Sequence, residues 1–125
     1  MKIINGVMGY TLAKVNVYNP KDELLKEEFE LLVDTGSTYT WIRRGKLTKL
    51  GIKSMGRLRC IDNRIIERDV GEAVIECLGR RAASIVVFAE EKDNEVLGLH
   101  ALEGLGLEVD PVTRKLRETE AIPTL

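Results

Sequence analysis

The sequence predicts a mainly β, single-domain fold, and three observations carry that prediction. Apolar and polar residues alternate with period two in several short runs. Turn-forming pairs punctuate those runs. Only one segment has convincing helical character. The chain has 125 residues, so one domain spanning residues 1–125 is expected. With 44% apolar and 31% charged residues it belongs with folded chains rather than disordered ones.

The first strand is "GYTLAKVNVY", Gly9 to Tyr18. It sets Thr11, Ala13, Val15 and Val17 on one face and Tyr10, Leu12, Lys14 and Asn16 on the other. Asn19-Pro20-Lys21-Asp22 reads as a turn, and Glu28–Val33 as a second strand antiparallel to the first. Tyr39–Ile42 is short and β-prone. Lys46–Ile52 has room for one helical turn ended by Gly51. Arg57–Ile61 and Arg64–Arg68 flank Asp62-Asn63, a hairpin signal. Glu72–Leu78 and Ala82–Ala89 flank Gly79-Arg80-Arg81, a second hairpin. Its "SIVVF" run, apolar on both faces, suits a central strand. Glu90–Asn94 is a charged loop. His100–Leu105 is the one convincing helix, stopped by Gly106. Leu107–Glu118 reads as a last hairpin around Asp110-Pro111. No linker, repeat or low-complexity run interrupts the chain.

Charge and composition exclude several functions. Lys plus Arg number 19 against 20 Asp plus Glu, so no global field favours nucleic acid as a partner. No apolar run is long enough to span a bilayer. The opening "MKIINGVMGYTLAKVNV" is broken by Asn5, Gly6 and Gly9, reads as part of the fold rather than a leader, and points to a cytoplasmic protein. Cys60 and Cys77 are too few for a disulfide scaffold. With His100 they form no recognisable ligand set, so neither a metal nor another cofactor is expected. The basic residues Arg43, Arg44, Lys46, Lys49 and Lys53 read as a solvated face.

The chemistry centres on "LLVDTGS", Leu31 to Ser37. Asp, Thr, Gly and Ser all suit a turn after a strand. A carboxylate at the end of a buried strand is also rigidly placed, which catalysis requires. The flanking hydroxyls offer donors to an ionised Asp34, and Gly36 lets its own backbone come close.

"LLVDTGSTYTWI" resembles the active-site loop of the aspartic proteases, with Trp41 four residues after Ser37 and Ile42 next. The second half resembles the retroviral proteases. A strand, a glycine turn, an apolar strand and a loop lead to Val96-Leu97-Gly98, which match that family's two-apolar-plus-glycine signature before a helix; the resemblance implies that this segment threads past the Asp34 loop. The likeness runs from about Glu30 to Gly106. It implies a closed, barrel-like retropepsin fold with one short C-terminal helix. It also implies an aspartic endopeptidase whose two carboxylates share one proton, one acting as base to water and the other as acid to the scissile carbonyl.

One Asp-Thr-Gly is present, and Asp22, Asp62, Asp69, Asp93 and Asp110 lack the motif. The second carboxylate must therefore come from Asp34 of a homodimeric partner. The interface expected is roughly 2,000 Å² or more. By the same resemblance Thr35 would bond the partner's loop, while Gly36 would offer its N–H to Asp34 and its carbonyl to substrate. Ser37, alanine in most retroviral enzymes, would bond the outer Asp34 oxygen and shift activity toward acid pH relative to Ser37→Ala. Ile61, Asp62, Asn63 and Arg64 would form the tip of a flap closing over peptide.

Four departures stand out. The tip is not glycine-rich, and the pepsin flap tyrosine is missing. Leu99 and Thr38 replace a charged Arg–Asp pair, so no orphan charge is created. The tail after Gly106 is longer, which suggests that the last hairpin joins the dimer interface. The rival function is a non-catalytic homodimer that binds peptide or serves assembly on the same fold.

Overall fold

The computed structural model describes residues 10–61 and 65–119. The opening segment up to Gly9 and the hairpin tip Asp62, Asn63 and Arg64 lie outside the described residues. The elements are β1 (Thr11–Asn19), β2 (Asp22–Asp34), β3 (Thr40–Arg43), α1 (Arg44–Lys49), β4 (Gly56–Ile61), β5 (Ile65–Cys77), β6 (Arg80–Ala89), β7 (Val96–Gly98), α2 (Leu99–Leu105), β8 (Leu107–Val109) and β9 (Leu116–Glu118).

β1 buries Thr11, Ala13, Val15 and Val17 and turns Leu12 and Lys14 outward, as its alternation dictates. It pairs antiparallel with β2 in the register Thr11↔Val33 to Tyr18↔Lys26. The turn between them holds a buried Asn19. Its Oδ1 accepts the Lys21 N–H (2.8 Å), and its Nδ2 donates to the Leu50 carbonyl behind α1 (2.9 Å). β2 starts at Asp22, six residues before the expected Glu28. That first stretch is exposed and charged, so it carries no alternating apolar signal.

β5 is one strand where the sequence suggested two. Gly71, which falls in the gap between the two expected strands, lies inside it. A Cβ there would come within 2.9 Å of the Lys53 carbonyl and 3.1 Å of the Ile52 and Phe88 side chains, so the glycine lets the segment after α1 pack across the strand. The next turn is Leu78-Gly79 rather than Gly79-Arg81. Both residues have positive φ (53° and 79°), as a two-residue turn of the primed kind requires, and β6 therefore starts at Arg80.

The sheet has seven strands in the order β1-β2-β7-β3-β6-β5-β4. β1 also pairs with β5 over Asn16↔Glu76 to Tyr18↔Val74, so the order closes into a ring with β4 attached outside it. The core inside includes Val15, Leu31, Ile75, Val86 and Leu97, all 1% exposed or less. α2 caps it with Ala101, Leu102 and Leu105, and Gly106 ends the helix in the left-handed conformation (φ 69°).

One convincing helix was expected, with room for a helical turn at Lys46–Ile52; that turn is a second helix, α1, which starts two residues earlier, at Arg44. No side chain caps its start at Arg43, so no capping signal marked that boundary. Burial of Leu47 and Leu50 and ion pairs from its basic residues hold it instead. β8 and β9 form a separate antiparallel pair. Cys60 and Cys77 are both free thiols, Cys77 buried.

Candidate active site

Asp34 is the last residue of β2. Leu31 points into the core, so Leu32 and Asp34 share the opposite face of the strand, with Asp34 exposed. β7 lies parallel beside this strand end in the register Leu32↔Val96, Val33↔Leu97, Asp34↔Gly98. Its other side faces β3 through Trp41↔Val96. Three residues from late in the chain are thus inserted between the two strands that flank the Asp34 loop.

The loop is fixed from both sides. Within it, Gly36 N–H donates to Asp34 Oδ1 (2.9 Å), and Ser37 N–H donates to the Asp34 carbonyl (3.1 Å). From behind, the first amides of α2, which have no intrahelical partner, donate to loop carbonyls: Leu99 N–H to Ser37 (2.8 Å) and His100 N–H to Thr38 (2.9 Å). Gly98 N–H donates to the fully buried Thr40 hydroxyl (3.0 Å). The His100 ring meets Tyr39 edge-on at 6.1 Å.

Ser37 differs from the expectation. Its hydroxyl donates to the Tyr39 carbonyl (2.8 Å). A hydroxyl has one proton to give, so Ser37 braces the loop and does not donate to the Asp34 carboxylate.

Asp34 opens onto a cavity of about 480 Å³. Leu32, Trp41 and Val96 give it apolar lining; Gly36, Ser37, Lys92, Asp93 and Asn94 give it polar lining. The wall formed by the loop after β6 is held by three of the five basic residues read above as a solvated face. Arg43 donates to the Glu90 carbonyl and to the Asp93 carbonyl (3.0 Å), and its own amide donates to Glu95 (2.8 Å). Arg44 bridges Glu90 and Asp69, each at 2.7 Å, and Lys46 meets Glu95 at 2.9 Å.

These partners shift the acids of the wall. The Arg44 guanidinium holds Glu90 below the usual carboxylate range. The Arg68 guanidinium does the same for Asp93, helped by the Glu90 N–H. Burial disfavours the charged form of Glu95, but the Arg43 amide and Lys46 outweigh it and leave this acid below its ordinary value too.

Asp93 is the second acid lining the Asp34 cavity, yet it is not free to share a proton. Arg68 grips both its oxygens, at 2.6 and 2.9 Å, and Glu90 N–H adds a third bond at 2.8 Å. Among the described residues no group of His, Cys, Asp and Glu is placed to hold a metal ion.

Thr35 is exposed and lines a second groove of about 550 Å³ on the other side of Asp34. Tyr10, Leu99, Leu102, Val109 and Pro111 also line it. The expected flap exists as the β4–β5 hairpin, in the register Gly56↔Val70 to Ile61↔Ile65. Ile61 is 77% exposed; Asp62, Asn63 and Arg64 of its tip lie outside the described residues.

Sequence reasoning missed Arg68, Asp93, Arg43 and Arg44. The one available signal was the match between a basic run at 43–46 and an acidic run at 90–95, which does not say that the two meet. Among the described residues no helix is long and apolar enough to cross a membrane. No protein-family model matches the chain, and no curated protein matches it.

Proposed function

We propose that the chain is a retropepsin-like aspartic endopeptidase active as a homodimer. The observation that carries this reading is the fixed presentation of Asp34. An exposed carboxylate at a strand end is held by the Gly36 amide and locked from behind by β7 and α2, and it opens onto a cavity with apolar and polar lining. The partner's Asp34 supplies the second carboxylate, because within one protomer Asp93 is occupied by Arg68. The groove beside Thr35 supports a contact with a second copy there, since Leu99 and Tyr10 leave over a third of their surface exposed on it.

With one proton shared between the two Asp34 carboxyls, the ionised one takes a proton from a water and the protonated one gives its proton to the scissile carbonyl oxygen. Water oxygen bonds to the carbonyl carbon. The C–N bond then breaks as the amide nitrogen takes up a proton, leaving a carboxylic acid and an amine. Substrate would bind extended, bonding through its backbone.

The test is incubation of wild type and Asp34→Asn with denatured protein between pH 3 and 7, beside a sedimentation measurement of mass. Cleavage by a wild-type dimer and none by Asp34→Asn is the expected result. Equal cleavage by both removes Asp34 from the mechanism. Peptide binding without cleavage by a dimer assigns the chain to the non-catalytic binding role.

A further inference from the structure

Beyond Val70 the β4–β5 hairpin leaves the ring. β6 pairs with β5 only from Val70↔Val87 onward, and β4 is the last strand of the sheet. Among the described residues the projecting half has no further strand neighbour, so side chains must decide whether it moves with the body. We propose that Arg68 and Asp93 latch this hairpin to the wall of the Asp34 cavity and thereby position an extended peptide there. The effect on peptide rests on the peptidase reading; the mechanical coupling does not.

Four observations support the latch. First, Arg68 lies on the hairpin, opposite Leu58, and its guanidinium meets the Asp93 carboxylate fork to fork, Nε to Oδ2 at 2.6 Å and Nη2 to Oδ1 at 2.9 Å. Second, the two side chains are 18% and 14% exposed. Every other ion pair among the described residues has at least one partner 39% exposed or more, where such pairs contribute little. Third, Asp93 belongs to the cavity wall and also folds it, through the Glu90 amide. Fourth, the neighbouring residue Asp69 reaches the same wall by way of Arg44 and Glu90, so two consecutive residues of β5 lead to one loop.

The geometry therefore makes the hairpin and the cavity wall one mechanical body. Loosening the fork would free the hairpin without touching Asp34, so Arg68 and Asp93 are positioning residues, not catalytic ones. Asp93→Asn is the sharper variant, because an amide oxygen can still accept the Glu90 N–H while the charge-assisted fork is lost.

Amide hydrogen exchange on Asp93→Asn, Arg68→Met and the exchanged pair Arg68→Asp/Asp93→Arg decides the coupling, with Arg117→Gln as a control that removes the two ion pairs of an exposed arginine elsewhere. Amides of 56–61 and 65–69 are expected to exchange about tenfold faster in the two single variants, the factor for one lost charge-assisted contact. Core amides such as Val17 and Leu31 should hold their rates, and the exchanged pair should restore part of the protection, because it rebuilds the fork but leaves the Glu90 N–H without its acceptor. On a cleaved peptide the same single variants should raise KM about tenfold and leave kcat within about twofold.

Unchanged hairpin exchange, or equal acceleration in hairpin and core, overturns the latch. Local acceleration with unchanged KM overturns the positioning role. If the wild type cleaves nothing, the peptidase reading fails while hydrogen exchange still decides the coupling.

Discussion

Gly98→Ala is the most direct probe of how the Asp34 loop is held. A methyl group on Gly98 would lie 2.3 Å from the Tyr39 carbonyl oxygen, 2.4 Å from its carbon and 2.9 Å from the Ser37 carbonyl oxygen. Ordinary contact begins near 3.4 Å, so the segment 37–39 must retreat by about 1 Å, and all three obstructing atoms are backbone. Overpacking of this kind costs about 1–3 kcal/mol. A 1 Å retreat also stretches the bonds from Leu99 to Ser37 and from His100 to Thr38, each contributing about 1 kcal/mol. The total is about 3–5 kcal/mol, a large share of the stability of a domain this size. Urea unfolding measures it as a lower midpoint with unchanged slope. Gly45→Ala serves as the control, because nothing lies within 4 Å of its Cβ position and α1 gains from the exchange by about 1 kcal/mol. A Gly98→Ala midpoint equal to wild type would refute the claim that β7 passes this close to the loop.

Ser37→Ala should lower the urea midpoint by the equivalent of about 1 kcal/mol, through loss of the bond to Tyr39, and leave the pH profile of cleavage in place. A profile displaced toward neutral pH would return the hydroxyl to the Asp34 carboxylate. The stabilising effect of Asp93 should vanish in acid. Arg68 on β5 and the Glu90 amide hold its folded value below the ordinary 3.8, with Arg43 on β3 adding to this and the Glu90 carboxylate nearby. Its contribution is therefore full above about pH 4 and lost as the pH falls through the depressed value. The difference in urea midpoint between wild type and Asp93→Asn should be present at pH 6 and shrink by pH 2. A difference undiminished at pH 2 would show that packing, not charge, sustains it.

Much of this architecture could be read from local chemistry. The alternation Thr11, Ala13, Val15, Val17 needs only period two to declare its face, and the unbroken apolar run of β6 declares a strand covered on both sides. Gly106 announces the end of α2 because its positive φ suits glycine. The misreadings share a cause. Gly71 falls in the gap between two expected strands, but its role is to admit a distant segment. α1 is held by partners 25 to 49 residues away instead of by a cap. Arg43 and Arg44 look like surface charge until the loop at 90–95 is brought against them. The site divides in the same way. The Asp34–Gly36 turn is local and legible, and the place of Val96–Gly98 beside it followed only from resemblance. The fork between Arg68 and Asp93 left no local trace, because a pairing across twenty-five residues has no period.

The insertion of β7 also dictates when the Asp34 loop becomes fixed. Asp34 is made early, but the strand that grips it arrives sixty-four positions later (98 − 34) and must slip between two segments already present. Long-range closures of this sort are slow, because chain entropy opposes them before any bond rewards them. A polypeptide interrupted before residue 96 would carry the acid without its brace. The sole tryptophan, Trp41, stands directly opposite Val96, so its emission supplies a built-in clock for the moment of assembly.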